Sequence, residues 1–229
     1  MKTIGILGGM SSTSTQLYYK ILCELTQKQF GELNSPSLLI RSVNFDPIAK
    51  RMADGRWDEI GNILNVEAKK LSEGGAELLL LASNTMHKMT EQMMFGVDIP
   101  LLHIADVTIS AILDDGITTP AFLATKFTMD ERFYIDKLAS SGLVPILPNE
   151  LERFEINRII FEELVCNDVI ASSKQFYVDV VQRLKSIGAD SVILGCTEVS
   201  LLLNEDNTNL PTFDTTYLHC KAAMKIASD

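Results

Sequence analysis

The sequence is short of what secreted, metal-binding and nucleic-acid-binding proteins rely on. Its 229 residues hold only four cysteines, three histidines and one tryptophan. Cys23, Cys166, Cys196 and Cys220 form no Cys-x-x-Cys pair. A chain of this length needs no disulfide staples, which predicts free thiols in a reducing compartment, the cytoplasm. No two histidines have metal-ligand spacing and no His/Cys/Asp cluster reads as a zinc signature, so no metal is expected. Basic charge is scarce too: 20 Lys and Arg stand against 30 Asp and Glu, a net charge of −10. Such a surface repels phosphate backbones and argues against a nucleic-acid partner. No apolar run approaches the roughly 20 residues of a membrane span. The opening MKTIGILGG is too short for a signal-peptide core, so no membrane partner is expected either. The GILGGM run is not G-x-G-x-x-G, and no acid ends the second strand, so no dinucleotide is expected.

What is present is alternation. Short apolar runs at Thr3–Leu7, Ser37–Val43, Glu77–Ala82, Leu101–Ile104, Ala121–Ala124, Val144–Leu147, Ser191–Gly195 and Thr212–Asp214 read as strands. Between them, segments such as TQLYYKILCELTQKQF, IGNILNVEAKKLSEG, INRIIFEELV and KQFYVDVVQRLKSIG space their apolar residues by three and four. Strands alternating with helices predict α/β architecture with parallel sheets. Gly74-Gly75 and Gly188 stand where helix C-caps belong.

The chain also repeats itself. GAELLLLASNT from Gly75 aligns without a gap on GADSVILGCTE from Gly188, setting Ser83 opposite Cys196. Ile99-Pro100-Leu101-Leu102-His103 resembles Leu210-Pro211-Thr212-Phe213-Asp214, and Thr3–Gly8 resembles Thr119–Ala124. Three matches in one order predict two similar α/β lobes related by a pseudo-twofold. The expected division is 1–103 plus 208–229 for the first lobe and 104–207 for the second, the two Pro-containing segments acting as crossovers.

Ligands of parallel α/β sheets bind at the carboxyl ends of strands. Ser83 and Cys196 are expected there, each before a helix start whose backbone N–H groups favour anions and lower the pKa of a thiol. Across a pseudo-twofold they would flank one inter-lobe cleft. Two opposed groups around a small molecule suit stereoinversion: one takes a proton from one face of a carbon, the other returns one to the opposite face.

At these positions the sequence resembles the aspartate/glutamate racemase family. The resemblance rests on GILGGMSS at 5–12, SNTMH at 83–87, LATKFTM at 123–129 and LGCTE at 194–198, with HIAD at 103–106 and IIFEEL at 159–164. It covers essentially the whole chain and implies two α/β lobes, no cofactor and a homodimer. Members usually have cysteine at both strand ends. The hydroxyl at Ser83 places this chain nearest the subgroup with threonine there, described as specific for L-aspartate and L-glutamate. The resemblance makes Cys196 and Ser83 the catalytic pair, with Cys196 on the L-face. It implies substrate contacts from Gly9, Met10 and Ser11 after the first strand, from Asn84, Thr85 and Thr125, and from Thr197 and Glu198 after the cysteine. Where the glutamate-only enzymes have histidine, this chain has Glu198, which can accept from the substrate ammonium or raise the thiol pKa by like charge.

A dicarboxylate substrate needs a local cation on so acidic a protein. Lys50 and Arg51, in the loop after the second strand, are the candidates, with a solvated helix face as their alternative reading. The same residues allow two rival functions. One is a decarboxylase or related isomerase that protonates a carbanion from a single cysteine. The other is a non-catalytic protein that clamps a small anion.

Overall fold

The computed structural model describes residues 1–228. The chain divides into two units: Met1–Ile104 joined by the chain from His219 onward, and Ala105–Leu218.

In the first unit, β1 (Ile4–Gly8) lies between β2 (Leu38–Ser42) and β3 (Leu78–Leu81), all parallel. Leu101 extends this sheet by a parallel bridge to Leu79. The strands read as continuous apolar runs because both faces are covered. Side chains alternate: Leu7, Leu79 and Leu81 join one buried cluster with Ile60, Leu64, Ala68 and Leu71 of α3 (Trp57–Glu73) and with Ile48 of α2 (Phe45–Ala53). Ile4, Ile6, Leu78, Leu80 and Ala82 face the opposite way. They pack with Tyr18, Ile21 and Leu22 of α1 (Ser12–Phe30) and with Cys220, Ala223, Met224 and Ala227 of the last helix, Thr215–Ser228. Past β3 the chain makes a 3₁₀ turn, Thr85–Met89, and the short α4 (Thr90–Met93).

The second unit repeats this order. Its β4 (Pro120–Leu123), β5 (Ser191–Leu194) and β6 (Thr212–Asp214) pair in parallel as β4-β5-β6, and Ile146 bridges to Ala121 beside β4. Around the sheet run α5 (Ile104–Asp114), α6 (Lys126–Asp130), α7 (Arg132–Ser140), α8 (Glu150–Glu162) and α9 (Ala171–Ser186). They bury Ile112, Tyr134, Leu138, Ile156, Ile160, Tyr177, Val181 and Leu184. A short α10 (Glu205–Thr208) precedes β6, and the last helix, α11, comes after it. Each unit is thus a three-stranded parallel sheet with a single-residue bridge standing in for a fourth strand, β1 matching β4, β3 matching β5, and the Leu101 bridge matching β6.

That correspondence moves the boundary expected at residue 208. Val192 donates to the Pro211 carbonyl at 2.9 Å, and β6 pairs with β5 from Thr212 to Asp214. The Leu210-Pro211 segment therefore leads into the second unit's own fourth strand, and the chain rejoins the first unit only within α11.

Candidate active site

The residues singled out by sequence gather at the carboxyl ends of strands, in two groups. In the first unit, Gly9 comes after β1 with φ +90, and a Cβ there would stand 2.2 Å from the Val43 carbonyl oxygen, so only glycine fits. Its N–H donates to Thr15 Oγ1 at 2.7 Å, and that hydroxyl donates onward to the Ser11 carbonyl at 2.9 Å. Ser11 caps α1, its hydroxyl oxygen accepting from the Ser14 N–H at 3.1 Å. Met10 is buried in the cluster under α2 and α3, so its side chain is built into the core. Ser14 Oγ donates to the Ala82 carbonyl at 2.9 Å, which ties this loop to the end of β3.

There Ser83, Asn84 and Thr85 are all buried. The Ser83 carbonyl accepts from His87 Nδ1 at 2.7 Å. Lys50 and Arg51 lie on α2 rather than in a loop. Lys50 pairs with Asp46 at 2.8 Å, and Arg51 with Glu59 at 3.0 Å and the Pro47 carbonyl at 2.9 Å.

In the second unit, Thr125 caps α6 at the end of β4, accepting from the Thr128 N–H at 3.2 Å. Cys196, Thr197 and Glu198, all buried, come after β5. Gly195 precedes them because a Cβ would lie 2.4 Å from the Phe122 ring and 3.1 Å from the Leu123 carbonyl oxygen. The Cys196 thiol donates to Glu198 Oε2 at 3.1 Å, and the Thr197 hydroxyl donates to the same oxygen. Burial pushes the thiol well above its ordinary pKa, and the Glu198 carboxylate pushes it further; backbone N–H groups of Glu198 and Thr197 pull the other way and lose. This corrects the expectation of a thiol acidified by a helix start. Beyond Cys196 the chain makes a single 3₁₀ turn, Val199–Leu201, too short to supply much of a dipole.

Two features escape a reading of the sequence. Tyr177, on α9, is fully buried; its hydroxyl is pushed far up by burial first, then by the negative charge of Cys196 and Glu198. No motif marks it, since a tyrosine on the inner stripe of a helix reads as core. The second is His87, whose ring lies on the Ser83 carbonyl. Among the described residues no group of three or more His, Cys, Asp or Glu could hold a metal ion, and no helix is long and apolar enough to cross a membrane.

A doubled parallel fold, with a buried polar or thiol side chain ending an interior strand of each unit, defines an α/β enzyme of the strand-end type. The sequence signature of the Asp/Glu/hydantoin racemases matches residues 7–223. A Yersinia pestis protein whose crystal structure has a provisional Asp/Glu racemase name is 36% identical over 100% of both chains, with a TM-score of 0.92. An aspartate racemase homologue from Pyrococcus horikoshii OT3 is 35% identical over 100% of both, with a TM-score of 0.88. The broad specificity amino-acid racemase RacX of Bacillus subtilis (strain 168) is 25% identical over 227 residues, 96% of each chain. The chain belongs to the Asp/Glu/hydantoin racemase family and is an amino-acid racemase, an isomerase.

Proposed function

We propose that the protein racemises L-aspartate or L-glutamate without a cofactor, Cys196 and Ser83 serving opposite faces of the α-carbon. The observation that supports this best is the setting of Cys196: a strand-end thiol in contact with a buried carboxylate and with backbone N–H groups. A neutral thiol cannot act as a base until it loses its proton. Glu198 is the acceptor in reach, and the N–H groups of Thr197 and Glu198 then hold the thiolate. The thiolate takes the α-proton of the L-substrate. N–H groups around Asn84 and Thr85 hold the α-carboxylate as negative charge spreads onto it. The Ser83 hydroxyl gives a proton to the far face, and exchange with water resets both groups. A hydroxyl is a far poorer base than a thiolate, so the serine side limits turnover. Enantiomers have equal free energy in water, so kcat/KM is the same in both directions whatever the two groups are.

Gly9, Ser11 and Thr125 line the strand ends as further substrate contacts, and Met10 contributes through its backbone. Lys50 and Arg51 are the cations proposed for the distal carboxylate. Each must first leave an acid partner, which for exposed pairs costs at most about 1 kcal/mol. Replacing both should weaken aspartate binding far more than alanine binding, read by calorimetry. The cytoplasm and a homodimer belong to the same proposal. All four cysteines are free thiols, as that compartment allows, and light scattering on the purified protein reads the oligomer.

The deciding experiment is proton NMR of L- and D-aspartate and L- and D-glutamate with the protein in deuterated buffer. Deuterium at Cα together with the opposite enantiomer is the expected result. Carbon dioxide from a malonate-type acid, without α-exchange, would establish the decarboxylase instead. Tight binding of either anion with no chemistry would make it a binding protein.

A further inference from the structure

All three histidines of the chain lie together in the first unit, beneath Ser83. The His87 ring is 4.6 Å from that of His103 and 6.0 Å from that of His219, centroid to centroid. Two of the rings have their protons fixed by what surrounds them. The Ile104 backbone N–H donates to His87 Nε2 at 3.3 Å. A backbone N–H can only donate, so Nε2 is bare and the proton sits on Nδ1. Nδ1 lies 2.7 Å from the Ser83 carbonyl, which can only accept. Both contacts therefore demand the same neutral tautomer. His219 is locked in the other sense: Nε2–H donates to the Leu102 carbonyl at 2.9 Å, and Nδ1 accepts from the Tyr18 hydroxyl at 2.7 Å. Burial lowers the His219 pKa to about 4, which keeps that ring neutral as well.

The contact to Ser83 replaces something. In an α-helix the Ser83 carbonyl would accept from the backbone N–H four residues on, which is that of His87. Here that N–H donates to the Asn84 carbonyl at 3.2 Å, in the tighter 3₁₀ pattern. The imidazole of the same residue takes up the carbonyl left over. Its ring thus fixes the peptide between Ser83 and Asn84, and with it the direction in which the strand end presents both side chains.

We propose that His87 is a positioning residue for the serine-side half-reaction, holding the Ser83–Asn84 peptide through its Nδ1–H tautomer. The inference rests on the proposed role of Ser83. In that reading, deuterium entering the L-isomer without inversion reports on Cys196 alone, whereas formation of the D-isomer also needs Ser83. In His87→Ala, D-isomer formation should fall about 10- to 100-fold, the range in which loss of orientation acts. Deuterium entry into the L-substrate should stay within about twofold. His87→Asn, whose amide nitrogen takes the place of Nδ1, should recover most of the loss.

Equal loss of both exchanges in a folded His87→Ala protein would reduce His87 to a packing residue and overturn the proposal. So would no loss at all. If His87→Ala does not fold, nitrogen-15 NMR of the wild-type protein decides. A proton on Nδ1 of His87, with Nε2 bare, is expected; a proton on Nε2 refutes the assignment. Failure of the underlying reading looks different: Ser83→Ala would then racemise at the wild-type rate, whatever His87 does.

Discussion

The ends of β3 and β5 occupy the same place in two sheets of the same strand order, yet one is surrounded by neutral rings and the other by acids. At the end of β3, Ser83 is followed four residues on by His87, whose ring lies against His103 at the end of the fourth strand. At the end of β5, Cys196 is followed four residues on by Ser200, whose hydroxyl donates to the Thr197 carbonyl at 3.2 Å, with Asp214 at the end of the fourth strand. The pair of positions is retained and the chemistry is exchanged. The serine side is backed by imidazole, and its His219 is kept uncharged by burial. The thiol side is backed by carboxylates: Glu198 in contact, and Asp214, whose own pKa burial raises. A duplicated backbone can thus keep where a group stands while resetting how readily it holds a proton.

The comparison breaks most sharply at Cys196. Cys196→Ala should abolish α-proton exchange on every substrate, a loss on the order of 10⁴-fold, with unchanged circular dichroism. Normal exchange in that variant would remove the thiol from the chemistry. Making the two strand ends alike is the next largest change. Ser83→Cys should speed racemisation in both directions by about 10²-fold, because the limiting side gains a better base. No gain would mean that β3 does not end in a weakened copy of the β5 site.

Taking the charge from the thiol side sharpens the contrast at smaller scale. Glu198→Gln should lower exchange about tenfold at every pH, since the buried thiol loses the group that takes its proton in each turnover even though more of it is ionised. With the like charge gone, thiolate absorbance in the ultraviolet should appear at lower pH than in the wild type. An unshifted titration would deny Glu198 any influence on Cys196.

The histidine side predicts an effect on stability rather than rate. His219 has a folded pKa of about 4 against 6.5 unfolded. The unfolded chain therefore binds the extra proton first as pH falls. This contribution is intact above about pH 6.5 and is lost progressively toward pH 4, a penalty of roughly 3 kcal/mol. Denaturant melts from pH 7 to 4 should show the decline, and His219→Gln should flatten part of it. An equally steep decline in the variant would place the acid sensitivity elsewhere.

Much of the fold is legible in sequence. Strands buried on both faces show as apolar runs, and β1, β3 and β5 fall within a residue or so of where the IGILG, LLLL and SVIL runs put them. The match of GAELLLLASNT to GADSVILGCTE anticipates the shared strand order. The fate of β6 is not legible, because three residues have no periodicity to tell which sheet they join. The protonation of Cys196 is legible only in part: the carboxylate two residues away stands in the sequence, but the number of atoms that exclude water around the thiol does not. His87 is hidden for a third reason. Its ring reaches Ser83 only because the turn tightens to 3₁₀, a local choice that composition does not report.

The first unit has its own lesson in assembly. One face of its sheet is finished by Cys220, Ala223, Met224 and Ala227, and the Lys2 backbone N–H donates to the Ala227 carbonyl at 2.8 Å. A ribosome makes this chain from the other end, so β1, β2 and β3 must wait, one side bare, until more than a hundred further residues have emerged. A nascent chain stalled or clipped before residue 219 would expose Ile4, Ile6, Leu78 and Leu80 to chaperones and proteases. It would also lack the ring that stands behind His87, so truncation products should be recognised as unfinished and be catalytically silent.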